Sequence, residues 1–309
     1  YAADNGARVV TISIGSYNGS WDDGDLINDG SDLTSVFESS LAYAHGKGVV
    51  ICSAAGNGGG YKPTEFTYPG SCSYVIGAGG LASGRNDVIW SSSSYNSEKK
   101  YQFVDVFAPS ENLFCGCSYN DDSGNKVLYD GGWNGTSFAS PMIAGAAALY
   151  FQKNPERANT DFEVALFNSA VPFGDRQKTG YGRLDVNALL DYVPTGEKTD
   201  IYFQSAPWWD ADGASPSVYA WNYGATMEIR EYPGVKMNKE GNLYHLSIEK
   251  EKYDCLIFNR VSPQNEYWGA KTATLDLSSF GSDKAYSISS TSPSWESDGK
   301  EVIGSFVNK

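Results

Sequence analysis

The chain has 309 residues and a formal net charge of −14 at pH 7, with 23 Lys and Arg against 37 Asp and Glu. A chain of this length suggests about two domains and holds ample material for a buried core. Neither half carries a basic face or tail, and no apolar run approaches the ~20 residues of a membrane helix, so nucleic acid, an anionic membrane surface and a membrane span are set aside as partners.

Tyr1 to Asn5 reads as helix, and because the chain starts with Tyr inside such a run it reads as a fragment or a processed product. The β-branched, mostly apolar run Arg8 to Ile14 reads as a strand that Gly15-Ser16 ends. A polar Gly/Asn/Asp loop follows to Gly30. Its Asp22-Asp23-Gly24-Asp25 run does not complete a known calcium loop and reads as a solvated loop. Ser31 or Asp32 can cap a helix whose apolar positions Leu33, Val36, Phe37, Leu41 and Ala44 fit a 3.6-residue period, closed by Gly46 and Gly48. Val49 to Cys52 is the next buried strand, followed by Ala54-Ala55-Gly56-Asn57. Tyr74 to Ala78 and Phe103 to Phe107 continue the sheet. Strand, helix, strand in this rhythm implies right-handed parallel crossovers, and near-continuous apolar strands imply a sheet covered on both faces. The expected fold class is therefore α/β with a parallel sheet. In such sheets ligands lie beyond the carboxyl ends of the strands, where Gly15-Ser16, Gly56-Asn57 and Gly77-Ala78-Gly79-Gly80 are expected.

Gly135-Thr136-Ser137-Phe138-Ala139-Ser140-Pro141 opens a helix. Gly135 frees the entry turn, Pro141 is expected in the first turn where its missing N–H does no harm, and Met142 to Leu149 carries no charge on any face, as in a buried helix. Lys153 and Asn154-Pro155 supply a cationic last turn and a stop. Ser137 has two readings: a helix cap, or a nucleophile whose developing oxyanion is met by helix-end N–H groups. Five Cys, none in a metal-like pair of pairs, give no zinc signal, and the odd count leaves at least one thiol free. Cys52 reads as a small core residue, while Cys115 and Cys117 are too closely spaced for an ordinary bridge.

After Leu189-Leu190 the stretch 194–198 reads as a linker. From about residue 199 the composition shifts to Trp, Tyr and Ser with short alternating runs separated by turn signals, the pattern of a small all-β sandwich over 199–309.

The heptapeptide around Ser137 resembles the G-T-S-M-A-x-P signature of subtilisin-like serine proteases, with Phe138 in place of Met. Ala54-Ala55-Gly56-Asn57 resembles that family's A-A-G-N, and Ser13-Ile14-Gly15 its S-L-G. Tyr68-Pro69-Gly70-Ser71, Phe107-Ala108-Pro109 and Gly180-Tyr181-Gly182-Arg183-Leu184-Asp185 match further landmarks in the same order. The resemblance covers 1–193 and implies a secreted endopeptidase, extracellular or at the surface of a bacterial cell, acting on protein or peptide substrate. Ser137 would be the nucleophile and Asn57 the oxyanion donor. Ser13, Ile14 and Gly15 would pair with the substrate backbone, and Ala54, Ala55 and Gly56 would wall a pocket for a sizeable side chain. No cofactor is implied, and a structural calcium is not legible.

The family orders its triad Asp, His, Ser, with the first two upstream of S-L-G, and this chain begins about a dozen residues before that point. Of its two histidines, His45 sits at a helix end and His245 in an alternating strand, so neither reads as the base. The 309-residue chain alone is expected to be inactive. Two other readings stay open: an inactive protease-like scaffold carrying a sugar-binding module, and a purely structural role.

The second domain resembles the starch-binding modules of carbohydrate-binding family 26, on Ile201-Tyr202-Phe203, Trp208-Trp209, Val218 to Asn222, Tyr232 to Met237, Leu256 to Asn259 and Thr272 to Leu277. That implies α-glucan as a partner, on rings from Tyr202, Trp209, Trp221 and Trp268, with Lys271 where such modules often have Gln. The alternative for these rings is the sandwich core.

Overall fold

The computed structural model describes residues 1–17, 33–64, 67–97, 104–223, 228–229, 232–288 and 301–309. The Asp22 to Asp25 run and the Ser31/Asp32 cap lie outside them. The chain divides into two compact units, Tyr1–Val193 and Pro194–Lys309.

In the first unit a short 3-10 turn precedes β1 (Val9–Ile12) and β2 (Ser16–Tyr17). Then come α1 (Leu33–Gly46), β3 (Val50–Ala54), β4 (Thr67–Tyr68), β5 (Ile76–Leu81), β6 (Val106–Pro109) and the hairpin β7 (Leu113–Asn120) with β8 (Lys126–Trp133). The unit ends with α2 (Thr136–Lys153), α3 (Asn159–Ser169), α4 (Arg176–Thr179), β9 (Gly182–Arg183) and α5 (Val186–Asp191). The main sheet has the order β1-β3-β5-β6-β9, with every pairing parallel. β3 and β5 are buried along their whole length. This is the signature of a sheet covered on both faces.

Two boundaries differ from the sequence reading. Gly77 to Gly80 lie inside β5 rather than beyond it. The sheet uses their missing side chains: a Cβ on Gly79 would stand 2.4 Å from the Phe107 ring, and one on Gly80 would stand 2.7 Å from Ser110 Cβ. Turn-forming composition here marks close packing. Of the strand expected over Phe103 to Phe107, Phe103 lies outside the described residues, Val104 and Asp105 are not in strand, and β6 starts at Val106.

α2 also departs from expectation. Ile143, Ala144, Ala146, Ala147, Tyr150 and Phe151 are buried, but Met142 and Leu149 are 37 % and 47 % exposed. The helix is one-sided because the sheet covers one flank only; an all-apolar sequence cannot show which flank that is.

The second unit is β-rich. Its strands are β10 (Lys198–Gln204), β11 (Ser215–Trp221), β12 (Val235–Lys236), β13 (Asn238–Glu240), β14 (Leu243–Glu249), β15 (Cys255–Val261), β16 (Tyr267–Lys271), β17 (Leu275–Asp276), β18 (Lys284–Ile288) and β19 (Gly304–Asn308). One sheet runs β13-β14-β10-β18-β19 and the other β12-β11-β15-β16, with β17 also paired to β15. Phe203 of the first sheet stacks on Phe258 of the second, centroids 4.4 Å apart, and both belong to one core with Ile201, Trp209, Val218 and Leu256.

Candidate active site

The site forms where β1 and β3 end and α2 begins. Parallel strands deliver their carboxyl ends to one edge, and α2 presents its first turn there with N–H groups that have no partner within the helix. Gly135 precedes α2 at φ +148°, in backbone space that favours glycine. Gly135 N donates to Ser110 O at 2.8 Å, which ties the helix start to the segment just past β6.

Pro141 is the sixth residue of α2, not part of its first turn. A proline there withholds the N–H that would bond the carbonyl four residues earlier, and its ring crowds that carbonyl. The carbonyl in question belongs to Ser137. It is met from outside the helix: Ser13 Oγ donates to Ser137 O at 2.8 Å. The contact is reciprocal, because Ser137 Oγ donates to Ser13 O at 3.1 Å. Two residues earlier on β1, Thr11 Oγ1 and Ser140 Oγ are 2.8 Å apart.

Asn57 lies just past β3. Its Oδ1 accepts from both the backbone N–H and the hydroxyl of Thr136, each at 2.9 Å, and Gly56 N donates to Thr136 Oγ1 at 3.1 Å. With the oxygen end engaged, the amide –NH₂ is turned the other way. A Cβ on Gly135 would lie 3.6 Å from Ser137 N and 3.7 Å from Asn57 Nδ2, so the two N–H donors flank one spot beside the serine. Thr136 is the residue that sequence reading passed over; its place inside the signature, beside Ser137, was the available signal.

A cleft of about 680 Å³ opens at Ser137. Ser13, Ile14, Gly15, Ala54, Gly56 and Asn57 line it, joined by Ile12, Phe37, Leu41, Thr67, Tyr68 and Pro69. None of its lining among the described residues is charged. Ile14 is 78 % exposed on its rim. Gly15 is required by close approach: a Cβ there would stand 2.8 Å from Thr67 Cγ2 and 2.9 Å from Tyr68 O.

Ala55 does not join this wall. It is fully buried in a cluster with Leu81, Val104 and Phe107, because neighbouring residues of an extended chain point to opposite faces.

The two histidines are engaged elsewhere. His45 Nε2 and Glu163 Oε1 are 2.9 Å apart, and Asn159 Nδ2 donates to His45 O and to Val49 O. That places His45 at the amino end of β3, while Asn57 lies beyond its carboxyl end, five strand residues or ~16 Å away. His245, in the second unit, faces Asp200 Oδ1 at 3.0 Å and Glu240 Oε1 at 2.9 Å. All five cysteines are free. Burial, reinforced by the Glu163 and Asp105 carboxylates, pushes the Cys52 thiol far up and leaves it inert.

The aromatic residues named in the second unit do not form one exposed surface. Trp209 is fully buried, and Tyr202 is 8 % exposed, stacked on His245 with Lys309 Nζ over its ring. The ring expectation is corrected for these two: both fill packed positions and offer no free face. Lys271 Nζ pairs with Glu301 at 3.5 Å. The rings that do run together are Trp221, Tyr219, Tyr232 and Tyr267, with successive centroids 5.4, 5.5 and 5.7 Å apart. Arg260 lies over Trp268, 5.4 Å from its ring centroid.

Among the described residues no helix is long and apolar enough to cross a membrane, and no group of three or more His, Cys, Asp or Glu is placed to hold a metal ion.

The profile of the subtilase family matches residues 1–185. Subtilisin DY of Bacillus licheniformis is 29 % identical over 189 residues, covering 61 % of this chain and 58 % of its own length. The thermophilic serine proteinase of Bacillus sp. strain AK1 is 32 % identical over 193 residues, 62 % of this chain and 40 % of that protein. The chain thus spans 58 % of the length of the first of these relatives and 40 % of the second. Among solved structures, fervidolysin of Fervidobacterium pennivorans, a keratinolytic enzyme related to subtilisin, aligns over 89 % of this chain and 42 % of its own, with a TM-score of 0.51 at 19 % identity. A lanthipeptide protease aligns over 61 % and 62 % with a TM-score of 0.50 at 22 % identity. Such distant likenesses speak to fold alone, but the profile match spans more than half of the residues and coincides with the Ser137 and Asn57 motifs: the chain belongs to the subtilase family.

Proposed function

We propose that the protein is a secreted serine endopeptidase in which Ser137 attacks the scissile carbonyl. The observation that carries this is the orientation of Asn57. Thr136 holds its oxygen end, so its –NH₂ and the Ser137 backbone N–H flank one spot next to the serine. Donors fixed in advance around a developing oxyanion lower the barrier because they need no reorganisation when charge appears. The substrate lies as an added strand along Ser13 to Gly15, and the uncharged cleft accepts a sizeable apolar side chain. The base and its carboxylate partner come from sequence upstream of Tyr1, since His45 and His245 are both committed elsewhere. No cofactor takes part.

The test is hydrolysis of a peptide anilide by the protein together with its upstream sequence, with Ser137→Ala as control. Turnover abolished by Ser137→Ala supports the reading. No turnover, together with no labelling of Ser137 by a fluorophosphonate, leaves an inactive protease-like scaffold. The 309-residue chain alone is expected to give no turnover.

The second unit is read as a β-sandwich that binds α-glucan on the ring row Trp221, Tyr219, Tyr232 and Tyr267. Tyr232 and Tyr267 are 48 % and 39 % exposed, and sugar C–H faces stack on such rings. Titration with maltooligosaccharides, followed by Trp fluorescence, should saturate and should fail in Tyr232→Ala. No saturable change at millimolar sugar removes the glucan.

A further inference from the structure

We infer that Ser13 is a positioning residue for the nucleophile, acting by replacing the helix hydrogen bond that Pro141 removes. This rests on the serine-peptidase reading of Ser137. The argument starts from the covalent chain. In α2 the carbonyl of Ser137 should receive the N–H of residue 141, but Pro141 has none, and its ring crowds that carbonyl. A first-turn carbonyl without its helix partner leaves the backbone of Ser137 less firmly placed. The cost of a 1 Å displacement of a reacting group can reach 10²-fold. Ser13 Oγ, on the segment that continues β1, donates to this carbonyl at 2.8 Å.

The contact belongs to a two-rung clasp. Thr11 and Ser13 are two residues apart on an extended chain and so share a face. Ser137 and Ser140 are three apart on a helix and so share a face. The rungs pair Thr11 with Ser140 at 2.8 Å and Ser13 with Ser137. Ser53 Oγ donates to Ile12 O at 3.1 Å and fixes the strand between the rungs from the β3 side. A serine hydroxyl thereby ties the segment that would carry substrate to the backbone of the residue that would attack it. This role is separate from pairing with substrate, which uses only the Ser13 backbone.

The distinction is testable because the missing donor can be given back. The experiment compares the parent protein, Ser13→Ala, Pro141→Ala and the double variant, each with its upstream sequence, on a peptide anilide. In Ser13→Ala, kcat should fall at least tenfold with KM within twofold, and Ser13→Thr, which keeps the hydroxyl, should retain most of the activity. In Ser13→Ala/Pro141→Ala the restored N–H at residue 141 should bring kcat back to within about threefold of Pro141→Ala alone. An unchanged kcat in Ser13→Ala, or the same tenfold loss whether residue 141 is Pro or Ala, overturns the inference. Should the parent protein show no hydrolysis, the peptidase reading fails and the clasp is judged by melting the parent and the same three variants. Ser13→Ala should then lower Tm when residue 141 is Pro and leave it within 1 °C when residue 141 is Ala. Equal losses in the two backgrounds overturn it.

Discussion

Thr136 holds Asn57 twice: its backbone N–H and its hydroxyl both donate to Asn57 Oδ1 at 2.9 Å. A neutral amide has one acceptor end and one donor end, so fixing the first aims the second. Replacing Asn57 by Ala should lower kcat by 10²–10³, about 2.7–4 kcal/mol, a magnitude taken from the loss of the corresponding donor in a subtilisin itself. KM should change little, because the oxyanion exists only in the transition state. Thr136→Val keeps the backbone bond but loses the hydroxyl, and with it both the bond to Asn57 Oδ1 and the one from Gly56 N. The loss of the bond that aims Asn57 should cost about 0.5–1.5 kcal/mol, or roughly twofold to thirteenfold in kcat. Steady-state kinetics on one anilide checks both. A raised KM with unchanged kcat in either variant contradicts the assignment.

The thiols separate by burial. Cys52, Cys72 and Cys255 are buried, while Cys115 and Cys117 are partly exposed on β7. Burial, with Glu38 nearby, pushes the Cys72 thiol up to about 12. Native protein treated with iodoacetamide at pH 8 should be alkylated at Cys115 and Cys117 alone, and unfolded protein at all five. Peptide mass mapping reads the result, and native alkylation of Cys52 or Cys72 would contradict the packing.

His245 should make the second unit sensitive to pH. Burial opposes its charge, but hydrogen bonds to Asp200 and Glu240 outweigh that and hold its pKa above the usual imidazole value. A raised folded-state pKa contributes stability that is full below the unfolded value of about 6.5 and is lost as pH rises through the folded value. Asp200 works at the acid end. The hydrogen bond with His245 holds its pKa below the ordinary value, so its contribution is present above about 3.9 and is lost as pH falls through the folded value. The melting temperature of residues 194–309 should therefore be highest between these limits and decline above about pH 6.5. His245→Gln should flatten the alkaline limb. An unaltered profile in that variant would show that the imidazole does not carry it.

Gly79 should resist substitution. An added Cβ would stand 2.4 Å from the ring of Phe107, which is fully buried in the sheet's core. Overpacking of this kind costs about 1–3 kcal/mol. Gly79→Ala should lower the midpoint of urea unfolding without changing its slope, whereas Gly60→Ala, where nothing lies within 4 Å of the added Cβ, should cost far less.

The sequence alone determined the elements that present the site. Ser137, Asn57 and Ser13 to Gly15 sit in short contiguous motifs, and the strand–helix–strand rhythm that places such motifs at one sheet edge follows from local backbone preferences. Composition also marked the change of architecture near Pro194. What only the tertiary structure decided is which side of each element is covered, and by what. Ala54 lines the cleft and Ala55 the core, although both are small and adjacent. Trp209 fills the space between two sheets while Tyr232 and Tyr267 stay exposed, and no local pattern separates one aromatic residue from another. Pro141 is tolerated inside α2 where a hydroxyl from residue 13 meets the carbonyl it leaves without an N–H partner. Local sequence sets dihedral angles and periodicity. Burial and hydrogen-bond completion depend on groups far along the chain, and only folding brings those together.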